Sequence, residues 1–367
     1  MKLGFFMMPL HSLALSYAEM YAMDLEAALS AEQLGYDELW MGEHYSAKVE
    51  PVTNTLQFMS MLIPQTKRIK LCTGVLNLPQ HHPAKVAGDV AMFDHMCGGR
   101  YIMGIGPGGL SSDFELFQTT DKDRQAMMVE CIDMVHAIWS QEPPYELNGK
   151  YWSIKVKDTV QPDMGIGPIP TPLQTKPFPQ VVTSAMSPFS GTARLAGTRG
   201  WHLISANFNA PWVVRSQWDK YVEGAEEAGR HADRSTWRIA RSILVTETDQ
   251  EAAEYLADPS NTIRSYYNYL FTQLTRAGAI KIFLTSRTAA PESLTLQGVM
   301  DSMVIAGSPR TVMDKLAAFT DEVGGFGGLM LAFHEWDRKP MWKASMRRLA
   351  EDVMPGFRRY ADGKLAA

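Results

Sequence analysis

The chain has 367 residues, a formal net charge of −5 and a pI near 6.0, a balance without the excess positive field that nucleic-acid partners require. Hydrophobic residues make up 46% and charged residues 20%, the composition of a globular protein with a large core. No apolar run reaches the ~18–20 residues that span a bilayer.

Lys2 to Met8 reads as a first strand. Pro9 and His11 interrupt the apolar run that a secretory leader would need. Met20 to Leu34 is an amphipathic helix closed by Gly35. Glu38 to Met41 is strand two, and it leads into Gly42-Glu43-His44-Tyr45. A helix over 54–65 follows. Ile69 to Leu76 is a β-branched and apolar strand, punctuated by Pro79 and Pro83 before a helix over 84–96. Gly98-Gly99 stops that helix, and Tyr101 to Ile105 is a buried strand running into Gly106-Pro107-Gly108-Gly109. Arg124 to Trp139 is helical. Proline-rich residues 141–179 lose periodicity and read as an insertion. Strands over 180–184, 201–206, 237–246 and 329–333 alternate with helices over 190–198, 212–229, 249–257, 308–320 and 340–353. Residues from about 258 to 307 resist assignment and read as a second insertion.

Eight strands alternating with helices predict an α/β fold: a single (β/α)8 TIM barrel over 1–367 with insertions at about 141–179 and 258–307. A doubly wound sheet would place GxGxxG after strand one, and that motif is absent. Such folds collect their chemistry at the carboxyl ends of the strands. His11, His44, His81, His82 and His334 all follow predicted strands, and they suggest acid–base work. Neither HxH nor HExxH occurs, so no metal is expected. Cys72, Cys97 and Cys131 form no CxxC, and their odd number suits a reducing cytoplasm. Ser184, Met186, Ser187, Ser190 and Gly191 lie where a strand meets a helix. Hydroxyls and free N–H groups there make either a phosphate seat or an ordinary serine cap. Gly106 allows close backbone approach, and Arg124 supplies a fixed charge either for a phosphate or for a surface salt bridge.

The segments GYDELWMGEHY (35–45), IKLCTGVLNLPQHHPAKVAGDVAMFDHMCGGRYIMGIGPGG (69–109), SAMSPFSGTARLAG (184–197), AGSPRTVMDKL (306–316) and GFGGLMLAFHEW (325–336) resemble the bacterial luciferase-like flavin monooxygenase family. Within it they are most similar to the subgroup usually named limonene 1,2-monooxygenase-like. That subgroup commonly has Tyr where Gln80 stands, and the family often has Arg where Pro107 stands.

The resemblance implies FMN, delivered as FMNH2 by a separate reductase, and transfer of one oxygen atom from O2 to a small apolar or aromatic substrate through a flavin C4a-(hydro)peroxide. By motif position Thr73, Gly74 and Val75 would pack against the ring, with a non-proline cis peptide near Gly74, and Asn77 would sit beside it. Ser187, Ser190 and Gly191 match the family's phosphate turn, and Arg124 matches a second phosphate contact. His44 matches the catalytic histidine, with His82 as a second candidate. The resemblance also implies a cytoplasmic homodimer. An F420-dependent hydride-transfer enzyme and a non-catalytic flavin-binding protein are the alternatives on the same fold.

Overall fold

The computed structural model describes residues 1–175 and 177–366. Eight strands form one ring: β1 (Lys2–Met7), β2 (Glu38–Met41), β3 (Lys70–Thr73), β4 (Tyr101–Gly106), β5 (Val181–Ala185), β6 (His202–Ser205), β7 (Arg238–Val245) and β8 (Gly328–Ala332). They neighbour one another in chain order and β8 returns to β1, so the fold is a closed parallel (β/α)8 barrel. Every residue of β7 and β8 is buried, which is why these strands read as apolar runs without alternation. Among the described residues no helix is long and apolar enough to cross a membrane.

Local chemistry sets several boundaries that periodicity misplaces. The first helix begins at Tyr17, three residues before the apolar pattern, because Ser16 and Glu19 form a reciprocal capping box. The stretch 141–179 holds an antiparallel hairpin, Tyr145–Asn148 on Ser153–Val156. The stretch after 258 holds helices Thr262–Arg276 and Leu296–Met303 and a strand, Val304–Gly307, paired with Ser242–Val245 of β7. Thr262–Arg276 buries only Ile263 and Tyr267, too narrow a stripe for the sequence pattern to register. A short helix at Ser111–Leu116 also escapes the reading, since its buried residue is an aspartate, Asp113.

The chain divides into two compact units. The first is Met1–Trp40, Lys48–Glu50 and Val182–Ala367. In it β1 lies on β8 with Leu3 opposite Leu329 and Phe5 opposite Leu331. Helices Gly191–Arg199 and Pro211–Glu227 touch through glycine: a Cβ on Gly197 would lie 2.0 Å from Tyr221 O, and one on Gly224 would lie 2.0 Å from Arg194 O. That contact sets the position of the loop that precedes the first of these helices. Glu38 is buried, and its carboxylate takes Arg238 Nε at 2.7 Å and Nη2 at 2.9 Å, Trp40 Nε1 at 2.9 Å and Lys2 Nζ at 3.0 Å. Burial raises its pKa, but Arg238 and Lys2 outweigh that and hold the carboxyl near 2.

The second unit is Met41–Ala47 and Pro51–Val181. Here β3 lies on β4 with Leu71 opposite Tyr101 and Cys72 opposite Ile102. The strand breaks at Gly74–Val75, whose peptide bond is cis, as the family resemblance implies, and resumes at Leu76–Asn77 against Ile105 and Gly106.

We propose that residues 1–367 fold as one domain around Glu38 and Arg238. Calorimetry should show one transition. Glu38→Gln should lower stability by about 3–5 kcal/mol, because it leaves Arg238 buried without its counter-charge. The parent's carboxyl is depressed in the folded state, so its contribution is complete above the ordinary value of 4.5 and is lost as pH falls toward 2. Loss of that acid dependence in Glu38→Gln checks the assignment.

Candidate active site

In the second unit the residue run after β2 is held by two buried carboxylates. His44 Nδ1 lies 3.1 Å from Asp113 Oδ2. The same carboxylate accepts the backbone N–H of Ser46 at 2.9 Å and of Tyr45 at 3.3 Å, and it also takes the Ser46 hydroxyl. Asp113 is fully buried. Burial pushes its carboxyl up, but the bonds from His44, Ser46 and Tyr45 outweigh this and hold it below the usual range. An ionised carboxylate therefore accepts the Nδ1 proton of His44.

Glu43 is the second carboxylate. Its Oε1 accepts from Asn77 N–H at 2.9 Å and lies 2.8 Å from His81 Nε2, and its carbonyl accepts from Asn77 Nδ2 at 3.1 Å. Glu43 Oε2 is buried with no donor among the described residues. So Asn77 and His81 are brought to the residue next to His44. His82 instead caps helix Pro83–Met96, its Nδ1 accepting from Ala84 N–H at 3.3 Å, with an exposed ring.

Thr73 is buried, with its hydroxyl 3.0 Å from Tyr101 OH and donating to Gly104 O at 2.8 Å. Gly74 N–H donates to Met41 O at 2.6 Å. Val75 Cγ2 lies 2.5 Å from the point where a Cβ on Gly106 would stand, so Gly106 is set by close approach. Arg124 opens helix Arg124–Trp139, with its guanidinium 3.8 Å over the Phe114 ring and Nη1 donating to the carbonyls of Thr119 and Thr120.

The first unit holds the serine turn. Ser190 caps helix Gly191–Arg199, its Oγ accepting from Ala193 N–H. Asn209 Nδ2 donates to Met186 O at 2.7 Å, Gln217 Nε2 donates to Ser187 O at 3.2 Å, and Phe189 N–H donates to Ser216 Oγ at 3.0 Å. Ser184 is the penultimate residue of β5, and a Cβ on Gly191 would meet open space. Two histidines of this unit have opposite surroundings. His11 is buried, with Nε2 3.2 Å from Asp24 Oδ1 and Nδ1 3.3 Å from Glu335 Oε2. Burial disfavours its charge, but the two carboxylates outweigh that and raise it to about 9. His334 lies 2.9 Å from Ser242 Oγ and edge-on to Tyr266, and burial lowers it to about 3, so it is neutral. Among the described residues no cluster has the geometry of a metal site.

The reading by sequence passed over Asp113, Glu43, Asn209 and Gln217. Glu43 was visible beside His44. Asp113 had one signal, the Ser-Ser-Asp run that opens a short helix.

Because His11 is raised in the folded state, its stabilisation is complete below the ordinary value of 6.5 and is lost as pH rises through about 9. The melting temperature should fall across that interval. His11→Gln should flatten the fall, and an unchanged profile in that variant would remove the charge from His11.

The model of the family described as luciferase-like monooxygenase matches residues 1–325. The chain is 30% identical, over 99% of its length and 94% of the relative's, to 4-hydroxyprotoasukamycin monooxygenase of Streptomyces nodosus subsp. asukaensis. It is 29% identical, over 91% of its length and 81% of the relative's, to limonene 1,2-monooxygenase of Rhodococcus erythropolis. Among solved structures it matches the oxygenating constituent of 3,6-diketocamphane monooxygenase from Pseudomonas putida, a type II Baeyer–Villiger monooxygenase in complex with FMN. The TM-score is 0.87 and the identity 26%, with coverage of 97% and 98% of the two chains.

Proposed function

The chain belongs to the luciferase-like monooxygenase family, and from that premise we propose that it is the oxygenase component of a two-component system that transfers one oxygen atom from O2 to a small apolar or aromatic substrate. The names of the relatives support the substrate class, since they act on limonene and diketocamphane. The P. putida protein is the oxygenating constituent of its monooxygenase, which supports a separate reductase here. The His44–Asp113 pair carries the reading.

The residues present suit FMN. Glu43 Oε2 is a buried acceptor lacking a donor, and an isoalloxazine ring carries an imide N–H. Thr73, Gly74, Val75, Asn77 and Gly106 are assigned to the ring. Ser184, Met186, Ser187, Ser190 and Gly191 are assigned to the phosphate, with Arg124 as a further cation. Reduced FMN supplies the electrons and the centre at which O2 is activated. The protein's own work is proton management and exclusion of water. Asp113 fixes the tautomer and orientation of His44, so that Nε2 holds or takes a proton where oxygen chemistry builds charge. Glu43 positions His81 and Asn77 beside it.

General acid–base help of this kind is worth ~10²–10⁴ in rate. A single-turnover mix of reduced FMN, O2 and substrate should show His44→Ala binding FMN near the parent's affinity, making hydrogen peroxide and little oxygenated product. Asp113→Asn should lose part of the same rate. His82→Ala, a change at a helix cap, should give parent-level product. If His82→Ala abolished product while His44→Ala did not, the catalytic role would move to the loop after β3.

The chain has no nicotinamide-binding fingerprint. The purified protein with FMN should therefore oxidise NADH only when a reductase is added. Rapid NADH consumption without one would overturn the two-component reading.

A further inference from the structure

We propose that Arg287, in the second insertion, is a phosphate-binding residue of the flavin site. This rests on the assignment of the 184–191 turn to the FMN phosphate.

The turn is a built structure. Asn209 and Gln217 are fully buried and tie down the carbonyls of Met186 and Ser187 from one side, and Gln217 Nε2 also donates to Asn209 Oδ1 at 3.1 Å. Ser216 takes the N–H of Phe189, a non-glycine residue with φ of 51°. With those groups consumed on the inner side, the first N–H groups of the helix, those of Gly191 and Thr192, have no intrahelical partner. The helix begins with open space at Gly191. Such an end favours an anion, but a few partial charges do not match a phosphate group.

Two arginines on these packed helices, Arg194 and Arg215, are committed. Arg194 is paired with Glu227 at 2.5 Å and with Glu223 at 3.4 Å. Arg215 donates Nη1 to Glu322 O at 3.3 Å. Arg287 has no carboxylate partner among the described residues. Its guanidinium carbon lies 5.5 Å from the centroid of the half-exposed Phe189 ring, one residue before Ser190. A guanidinium stacked on an aromatic face keeps its N–H edge available for bidentate donation to phosphate. Its segment is anchored close by, since Trp212 Nε1 donates to Leu284 O at 2.8 Å and the Trp212 and Phe189 rings are 6.3 Å apart. The insertion thus brings to the serine turn a cation that has no carboxylate partner among the described residues.

The test compares FMN with riboflavin, which lacks the phosphate, by quenching of tryptophan fluorescence under anaerobic reduction. Arg287 is exposed, so Arg287→Ala should melt with the parent. It should bind FMN at least ~10-fold more weakly and bind riboflavin as the parent does, as expected for a hydrogen bond to a charged group. Arg287→Lys should recover part of the loss, and raising salt should weaken FMN less in Arg287→Ala than in the parent. The double variant Ser187→Ala, Ser190→Ala is the reference for the turn. FMN affinity within twofold of the parent in Arg287→Ala, with a clear loss in the serine double variant, would overturn Arg287 and leave the turn standing. An equal loss of FMN and riboflavin in Arg287→Ala would make the residue structural and overturn the inference. If neither variant changed FMN binding, the phosphate would sit elsewhere and both assignments would fall.

Discussion

The buried pair of Glu38 and Arg238 is the constraint on which the fold depends. Its two residues lie on β2 and β7, which are not neighbours in the ring, so the contact ties together strands that no backbone ladder joins. A charge pair in such a place is favourable only when its remaining hydrogen-bonding capacity is satisfied. Here Trp40 and Lys2 complete the carboxylate, while Arg238 Nη1 donates to Thr236 O at 3.0 Å and lies 3.3 Å from His202 Nδ1. His202 is held near 4 by burial and by the adjacent Arg238, so it stays neutral and leaves the arginine's charge to Glu38. These residues sit at the amino-terminal ends of their strands, the end of a barrel concerned with stability, which leaves the opposite ends for chemistry.

At those opposite ends, carboxylates decide what each histidine does. Asp113 orients His44, Glu43 binds His81 and Asn77 together, and Asp24 with Glu335 keeps His11 charged. His334, with Ser242 as its one polar partner among the described residues, is neutral. One residue type is therefore an oriented ring, a bracket, a fixed cation and a neutral ring, and what separates these states is the number of acids in contact with each ring and the extent of burial.

The barrel was legible because its strands are short apolar runs bounded by glycine and proline, and because helices separate them at regular intervals. All eight expected strands lie in the ring. The family motifs also led to the cis peptide at Gly74–Val75. What stayed hidden was long-range pairing. Nothing in Ser111–Leu116 says that Asp113 turns toward a residue 69 positions earlier in the chain, and nothing in the helix at 211–227 marks Gln217 as the support of Ser187. The five strand-end histidines have unlike surroundings: the partners of His11, His44, His81 and His334 come from distant segments, whereas His82 caps the helix that follows it.

The contact between Val75 and Gly106 has an evolutionary consequence. The valine methyl already fills the volume of a glycine Cβ; Gly106 is paired with Asn77, and Val75 directly precedes the paired Leu76, so the ladder holds the two positions close. Neither position can grow alone. Across related sequences the two should vary as one volume: a bulky residue at 75 with glycine at 106, or a small residue at 75 wherever 106 carries a side chain. A pocket reshaped by selection would change at this pair in a single coupled step or leave it untouched.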